Sequence, residues 1–165
     1  KYHNGAITVH SDPGEGTAFQ VYLPALEREA SPIEVAPVSI PTGSESILVV
    51  DDEERLAIAI QRMLEHLGYK ALAMTGSAAT LSLFRQQPDR FDLLVTDYTM
   101  PGMTGIELAK EIIGVRPGFP IILCTGFSEK ISEDAVKSVG IRTLLIKPVT
   151  LRSLAETVRG VLETE

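Results

Sequence analysis

Short apolar runs alternate with amphipathic segments through residues 46–165. The five runs occupy residues 47–50, 69–74, 93–95, 121–123 and 144–146. All but the second, which contains Lys70, lack polar interruptions, and this predicts strands that are buried on both faces of a sheet. Apolar residues at helical spacing follow each run, as with Leu56, Ile60, Met63, Leu64 and Leu67, and again with Ile131, Ala135, Val136 and Val139. Five strands alternating with five helices predict an α/β fold, a doubly wound parallel sheet with helices on both faces.

Capping residues mark the expected ends of several helices. Gly68 is placed to terminate the first helix, and Ser77 is expected to cap the second. Thr104 and Glu107 have the spacing of a capping box at the start of the third helix. Thr150 is expected to cap the last helix.

The first 45 residues have a different character. Residues 6–23 alternate apolar and polar side chains on either side of a turn sequence, Asp12-Pro13-Gly14-Glu15-Gly16, which predicts a β-hairpin. A lone hairpin is marginal in water, so this one should need a partner sheet. Residues 25–45 carry three prolines among scattered serines and glutamates and are predicted to be a flexible linker between residues 1–24 and the domain at 46–165.

Composition excludes several classes of protein. Apolar residues make up 44% of the 165 residues, which is typical of a globular chain. The net charge is −7, and no cluster of lysine and arginine offers a surface for nucleic acid. No apolar run reaches the roughly 18 residues that span a bilayer, so this segment is not expected to insert into a membrane.

The single cysteine and the first residue bear on location and completeness. Cys124 cannot form an internal disulfide, which favours a reducing, cytoplasmic setting. The sequence begins with Lys1 and shows no signal segment, so we expect a piece of a longer protein, whose other parts are free to include a membrane anchor.

Candidate chemistry follows the strands of the predicted sheet. Ligands of open parallel sheets bind beyond the carboxyl ends of the strands. Asp51 and Asp52 follow the first strand and Asp97 follows the third, while Thr125 ends the fourth and Lys147 follows the fifth. We therefore expect these five side chains to converge at one edge of the sheet.

Three converging carboxylates repel one another unless a cation neutralises them, and Mg²⁺ suits a site of few carboxylates. A lysine and a hydroxyl opposite them would hold the oxygens of a phosphoryl group, and an aspartate can itself be the nucleophile. Taken singly, each residue has a simpler explanation as a helix cap, a turn residue or a surface charge. The set as a whole points to Mg²⁺-dependent phosphoryl chemistry.

Residues 46–165 resemble the receiver domain of two-component response regulators. The loop that begins at Asp97 looks like the family's D-x-x-M-P-x-M-x-G, and Thr125-Gly126 and Lys147-Pro148 stand where the family has them. The resemblance implies a flavodoxin-like sheet with strand order 2-1-3-4-5. It also implies a cis Lys147–Pro148 bond.

The resemblance assigns roles to particular residues. Asp97 would accept a phosphoryl group from phosphohistidine, and Thr125 and Lys147 would bind its oxygens. Asp51, Asp52 and Asp97, with the backbone carbonyl of Thr99, would hold Mg²⁺. One departure is Leu144, which stands where many receivers have an aromatic residue coupled to the threonine.

The hairpin carries a second resemblance, to the closing hairpin of the ATP-binding domain of histidine kinases. The rest of that domain is missing, and His3, His10 and His66 do not fit the phosphorylated histidine of a kinase. Together the two resemblances imply the end of a hybrid histidine kinase, without kinase activity of its own. Its expected partners are the kinase core or a histidine phosphotransfer protein.

Two other functions remain open. A Mg²⁺-dependent phosphatase also uses an aspartate nucleophile, but such enzymes usually have a second acid two residues later, where this chain has Thr99. A non-phosphorylated binding module, such as a flavodoxin-like flavin binder, would need a Ser/Thr/Gly-rich loop after the first strand. The acidic residues from Asp51 to Glu54 would repel a flavin phosphate.

Overall fold

The structure, a computed structural model, describes residues 4–25, 39–126 and 133–164. It forms two compact units, Lys1–Val38 and Ser39–Glu165, which we describe separately. Most of the predicted linker, residues 26–38, lies outside the described residues. The last part of that predicted linker, residues 39–45, belongs to the second unit.

The first unit contains the predicted hairpin. Strand β1 (Ala6–Asp12) pairs antiparallel with β2 (Gly16–Tyr22). Ile7 stands opposite Val21 and Val9 opposite Phe19, so these four side chains lie on one face. Each of them is at least 61% exposed. The hairpin thus presents an apolar face that none of the described residues covers.

The second unit is a five-stranded parallel sheet with helices on both faces. Its elements are β3 (Ser46–Val50), α1 (Glu54–His66), β4 (Lys70–Met74), α2 (Ser77–Gln86), β5 (Leu93–Asp97), α3 (Gly105–Val115), β6 (Ile121–Thr125), α4 (Glu133–Ser138), β7 (Thr143–Ile146) and α5 (Leu151–Glu163). The strand order is β4-β3-β5-β6-β7, and every pairing is parallel. This order confirms the predicted 2-1-3-4-5 sheet.

Two apolar layers hold the helices on the sheet. Alternate residues of β3 point to opposite faces, so Ile47 and Val49 join the layer under α1 and α5, while Leu48 and Val50 join the layer under α2 and α3. All five residues of β5 and all five of β6 are buried. This burial on both faces explains why the strands read as unbroken apolar runs.

The observed helix ends confirm most of the capping predictions. Thr104 and Glu107 form the predicted capping box, and Thr150 forms a second one with Ser153. The prediction for Ser77 is wrong: Ser77 is the first residue of α2, the N-cap is Gly76 at φ 85°, and no side chain caps the helix. Because Gly76 occupies the N-cap position, Ser77 lies inside the helix. Its hydroxyl is one position too late to accept a capping hydrogen bond from a backbone amide of the first turn.

The fourth and first helices also differ in detail from their sequence patterns. Ile131 lies outside the described residues, and α4 covers only Glu133–Ser138. In α1, Ile60 and Leu64 are buried, but Leu56 is 37% exposed. Helical spacing therefore identified the apolar stripe of α1 without showing that its first member lies at the rim of the core.

Gly105 lies where α3 packs directly behind the end of β5. A Cβ added there would overlap the backbone oxygen of Asp97, whereas one added at the exposed Gly114 would meet no atom within 4 Å. We expect Gly105→Ala to lower the free energy of unfolding by about 1–3 kcal/mol, since overpacking forces backbone shifts. Gly114→Ala should instead raise the free energy of unfolding by roughly 0.5–1 kcal/mol. Urea denaturation of the two variants checks this, and equal effects would contradict the packing argument.

Candidate functional site

Three acidic side chains meet at the carboxyl end of the sheet. Asp51 and Asp52 directly follow β3, and Asp97 is the last residue of the neighbouring β5. One carboxylate oxygen from each lies within 4.8 Å of the others. Asp51 is 1% exposed and Asp97 is 7% exposed, whereas Asp52 faces solvent. The cluster thus has two buried members and one that opens to water.

Lys147 lies between the two buried carboxylates. Its Nζ is 3.0 Å from Asp51 Oδ2 and 2.8 Å from Asp97 Oδ1. Burial by itself would lower the pKa of the Lys147 ammonium, but the hydrogen bonds to Asp97 and Asp51 outweigh burial and raise that pKa above its usual range. The lysine is therefore a fixed positive charge at neutral pH.

Backbone amides fix the orientation of the same carboxylates. Glu53 N donates to Asp51 Oδ1 at 2.9 Å, and Thr99 N donates to Asp97 Oδ2 at 2.9 Å. Asp97 therefore accepts a hydrogen bond from the Thr99 amide on one oxygen and contacts the Lys147 ammonium with the other. These two amides could not be predicted from the sequence, because the amino-acid types of residues 53 and 99 do not reveal the hydrogen bonds of their backbones.

Thr125 lies next to this cluster. It is the last residue of β6, one position beyond Cys124, which pairs with Asp97 across the sheet. It is 5% exposed, and its backbone oxygen accepts from Lys147 N at 2.8 Å. The strand ends therefore bring together the five residues that the sequence placed at this edge.

Cys124 is close to the site but is not suited to chemistry there. Its side chain is buried, and burial raises the pKa of the thiol to about 12, although the nearby Lys147 opposes this shift. The thiolate, not the thiol, is the nucleophilic form. Asp97 is consequently the better candidate for a nucleophile at the end of these two strands.

The donor set suits a hard divalent cation. Mg²⁺ prefers oxygen ligands and commonly binds through one or two carboxylates while keeping several waters. Here a cation could enter from solvent at the exposed Asp52. Asp51 and Asp97 each supply a carboxylate oxygen within 4.8 Å of an Asp52 oxygen. Lys147 partly neutralises the two buried carboxylates, whereas Asp52 forms no ion pair with the described residues.

The family of the chain follows from residues 47–159, which match the family model of the response regulator receiver domain. The chain belongs to this family. Solved structures agree: a response regulator receiver domain protein from Clostridium thermocellum superimposes with a TM-score of 0.68 at 28% identity, covering 72% of this chain and 94% of that one. The chemotaxis protein CheY4 of Vibrio cholerae gives 0.63 at 27% identity, over 72% of this chain and 99% of that one.

Similar curated proteins are sensor kinases. The sensor kinase CckA of Brucella abortus is 28% identical over 100% of this chain, and the sensor protein EvgS of Escherichia coli is 30% identical over 92%. The chain spans only 18% and 13% of their lengths. The chain is thus homologous to the receivers of hybrid histidine kinases, which is consistent with a role as a phosphorelay acceptor. Among the described residues, no helix has the length and hydropathy needed to cross a membrane.

Two further expectations of the receiver family can be compared with the structure. The Lys147–Pro148 bond is cis, as the resemblance implied. Leu144 lies on β7, is half-buried, and packs against the apolar layer under α2 and α3. An aliphatic side chain therefore stands on this strand where many receivers have an aromatic one.

Proposed function

We propose that Asp97 is the phosphoacceptor of this receiver and takes a phosphoryl group from phosphohistidine. In this step an Asp97 oxygen forms a bond to phosphorus, the phosphorus–nitrogen bond breaks, and the electron pair returns to the imidazole. The observation that carries the proposal is the placement of Asp97, whose buried carboxylate is oriented by Thr99 N and faces a lysine at 2.8 Å.

Lys147 and Thr125 would receive the oxygens of the transferred group. Lys147 already contacts Asp97, so a phosphoryl group on that carboxylate would bring its oxygens within reach of the ammonium. Thr125 contributes a hydroxyl from the end of the adjacent strand. These preorganised groups would stabilise the negative charge that the phosphoryl oxygens carry.

Receiver domains generally bind Mg²⁺ at an acidic pocket, and we assign that role here to the acidic cluster. Asp52, Asp51 and Asp97, with the backbone carbonyl of Thr99, would hold the cation. When bound, Mg²⁺ would neutralise oxygens of the incoming phosphoryl group. The chain's own contribution is to keep Asp52 open to solvent while Lys147 occupies the buried side of the cluster.

An acceptor fits the site better than a phosphatase does. Phosphatases with an aspartate nucleophile usually carry a second acid two residues later, which protonates the leaving group and then, as a carboxylate, activates water. The residue two positions beyond Asp97 is Thr99, which is exposed and has a neutral side chain. The chain therefore has no acid at the position where such phosphatases usually carry one, which favours retention of the phosphoryl group on Asp97.

The whole protein is proposed to be a hybrid histidine kinase. The exposed apolar face of the β1–β2 hairpin supports its assignment, with residues 1–24, to the ATP-binding domain of the kinase, since that face would pack against the rest of such a domain. Residues 25–45 would connect it to the receiver at 46–165. The donor would be the kinase core or a histidine phosphotransfer protein, acting in the cytoplasm.

Metal removal tests the proposed chemistry directly. The 165-residue chain should become phosphorylated by acetyl phosphate in the presence of Mg²⁺, and the modification should disappear when EDTA is added first, because the carboxylates would then repel the phosphoryl oxygens. Intact-protein mass spectrometry detects the added group. Undiminished labelling in EDTA would remove Mg²⁺ from the mechanism. A panel of phosphorylated histidine proteins, offered under the same conditions, would identify the donor.

A further inference from the structure

Residues 41–45, which the composition assigns to the linker, lie against the receiver. We call Pro41–Glu45 the strap. Its exposure alternates, with Pro41, Gly43 and Glu45 half-buried and Thr42 and Ser44 exposed. Gly43 N donates to Leu67 O at 3.1 Å, and Lys70 N donates to Glu45 O at 2.9 Å. The strap is therefore hydrogen-bonded to the turn between α1 and β4.

Two side-chain contacts hold the strap in addition to these backbone bonds. Glu45 Oε1 lies 2.7 Å from Arg159 Nη2 on α5, and this hydrogen bond lowers the pKa of the Glu45 carboxyl. Gly43 packs so closely on the Tyr69 ring that a Cβ added to Gly43 would overlap it. The strap thus crosses from α5 to the α1–β4 turn and requires glycine at its centre.

The side chain beneath the strap has an unsatisfied polar group. Tyr69 is 3% exposed, and its hydroxyl makes no well-aligned hydrogen bond to the described residues, although it interacts with the nearby Arg159 guanidinium. Burial raises the pKa of this hydroxyl. A buried hydroxyl without a well-aligned hydrogen bond is costly, and it would gain hydrogen bonds to water if the strap lifted. Hydration of the Tyr69 hydroxyl would therefore offset part of the free energy lost when the contacts of the strap break.

We propose that Pro41–Glu45 is a releasable strap that fixes where the upstream chain joins the receiver. The strap precedes β3, so it lies at the amino end of the sheet, and the acidic cluster lies at the carboxyl end. β3 has five residues, about 16 Å from one end to the other. We call the chain that precedes residue 41 the tether. The closed strap attaches the tether on the side of the receiver opposite Asp97 and leaves the carboxyl end of the sheet accessible.

Release of the strap would change how the receiver is presented to a donor on the same chain. Freeing residues 41–45 adds five residues to the tether, up to about 17 Å of extended length. It also removes the fixed direction from which the tether arrives. This consequence rests on the proposed phosphoacceptor function, whereas the existence of a releasable strap does not.

Spin labels on the strap and on α3 test the release. Thr42→Cys and Lys110→Cys place labels at exposed positions, and the buried Cys124 should not react. We expect a narrow distance distribution in the otherwise unchanged chain and a broad one in Gly43→Val, in which the added side chain cannot share space with Tyr69. Ser44→Ala, at an exposed strap position, is the matched control and should stay narrow.

A second set of variants addresses the ion pair without altering Gly43. Glu45→Ala, Arg159→Ala and the double variant should broaden the distribution to the same extent if the pair acts as a unit. The Lys70 amide, which donates to Glu45 O, should exchange its hydrogen at least about tenfold faster in Gly43→Val, while amides of β5 keep their protection.

Phosphorylation separates this proposal from the proposed function. Gly43→Val should accept phosphate from acetyl phosphate at the rate of the unchanged chain. A narrow distribution of the distance between the two spin labels in Gly43→Val would contradict the proposal of a releasable strap. Loss of phosphorylation or of β5 protection together with strap opening would also overturn it, since residues 41–45 would then be an integral part of the fold. Failure of the unchanged chain to accept phosphate would instead reject the proposed function and leave the distance measurement valid.

Discussion

Asp97→Asn should reduce covalent phosphorylation by acetyl phosphate and Mg²⁺ to background. The amide that replaces the carboxylate is a poor nucleophile and cannot form an acyl phosphate, so the step itself is lost rather than slowed. The fold should survive, because an amide oxygen can still accept from Thr99 N, which donates to Asp97 Oδ2 at 2.9 Å. Intact-protein mass spectrometry after incubation measures the modification, and circular dichroism verifies the fold.

The matched control for this variant is Asp89→Asn. Asp89 is exposed in the loop between α2 and β5, away from the acidic cluster, and its replacement should leave phosphorylation unchanged. Labelling of Asp97→Asn at the level of the unchanged chain would show that another side chain is the acceptor. Asp51 and Asp52 would then be the next candidates, and peptide mapping of the modified protein would distinguish them.

The sequence predicted that these side chains converge because parallel strands impose a simple rule. Buried strands appear as unbroken apolar runs, and the residues that end them meet at one edge whatever the details of the helices. Asp97 and Asp51 were therefore placed together without any knowledge of side-chain geometry. The same rule gives no information on the amides of Glu53 and Thr99, since every residue but proline has one.

Other features depended on contacts that composition does not encode. Residues 41–45 resemble the rest of a proline- and serine-rich linker, and their contacts with the receiver, such as Gly43 with Tyr69 and Glu45 with Arg159, appear only in the structure. Ser77 has the right residue type for a cap, but the left-handed backbone at Gly76 starts the helix one residue earlier than a serine cap would require.

Replacing Lys147 with methionine should destabilise the receiver in the absence of divalent cations. Methionine is one heavy atom shorter than lysine and removes the charge that lies 3.0 Å from Asp51 and 2.8 Å from Asp97. Two buried carboxylates would then repel each other without compensation, and we expect a loss on the order of 2 kcal/mol in the free energy of unfolding. Lys110→Met, at an exposed position of α3, should change the free energy of unfolding by less than about 0.5 kcal/mol.

Magnesium and pH give this prediction two independent checks. Mg²⁺ at millimolar concentration should recover much of the stability lost in Lys147→Met, since the cation binds the folded carboxylates and not the unfolded chain. The pKa of Lys147 is raised in the folded state, so its stabilising contribution is complete below the ordinary value of 10.5 and declines as the pH rises above it. The stability difference between the unchanged chain and Lys147→Met should therefore shrink above that pH in urea titrations. A difference that neither Mg²⁺ nor alkaline pH reduces would show that Lys147 contributes through packing rather than through its charge.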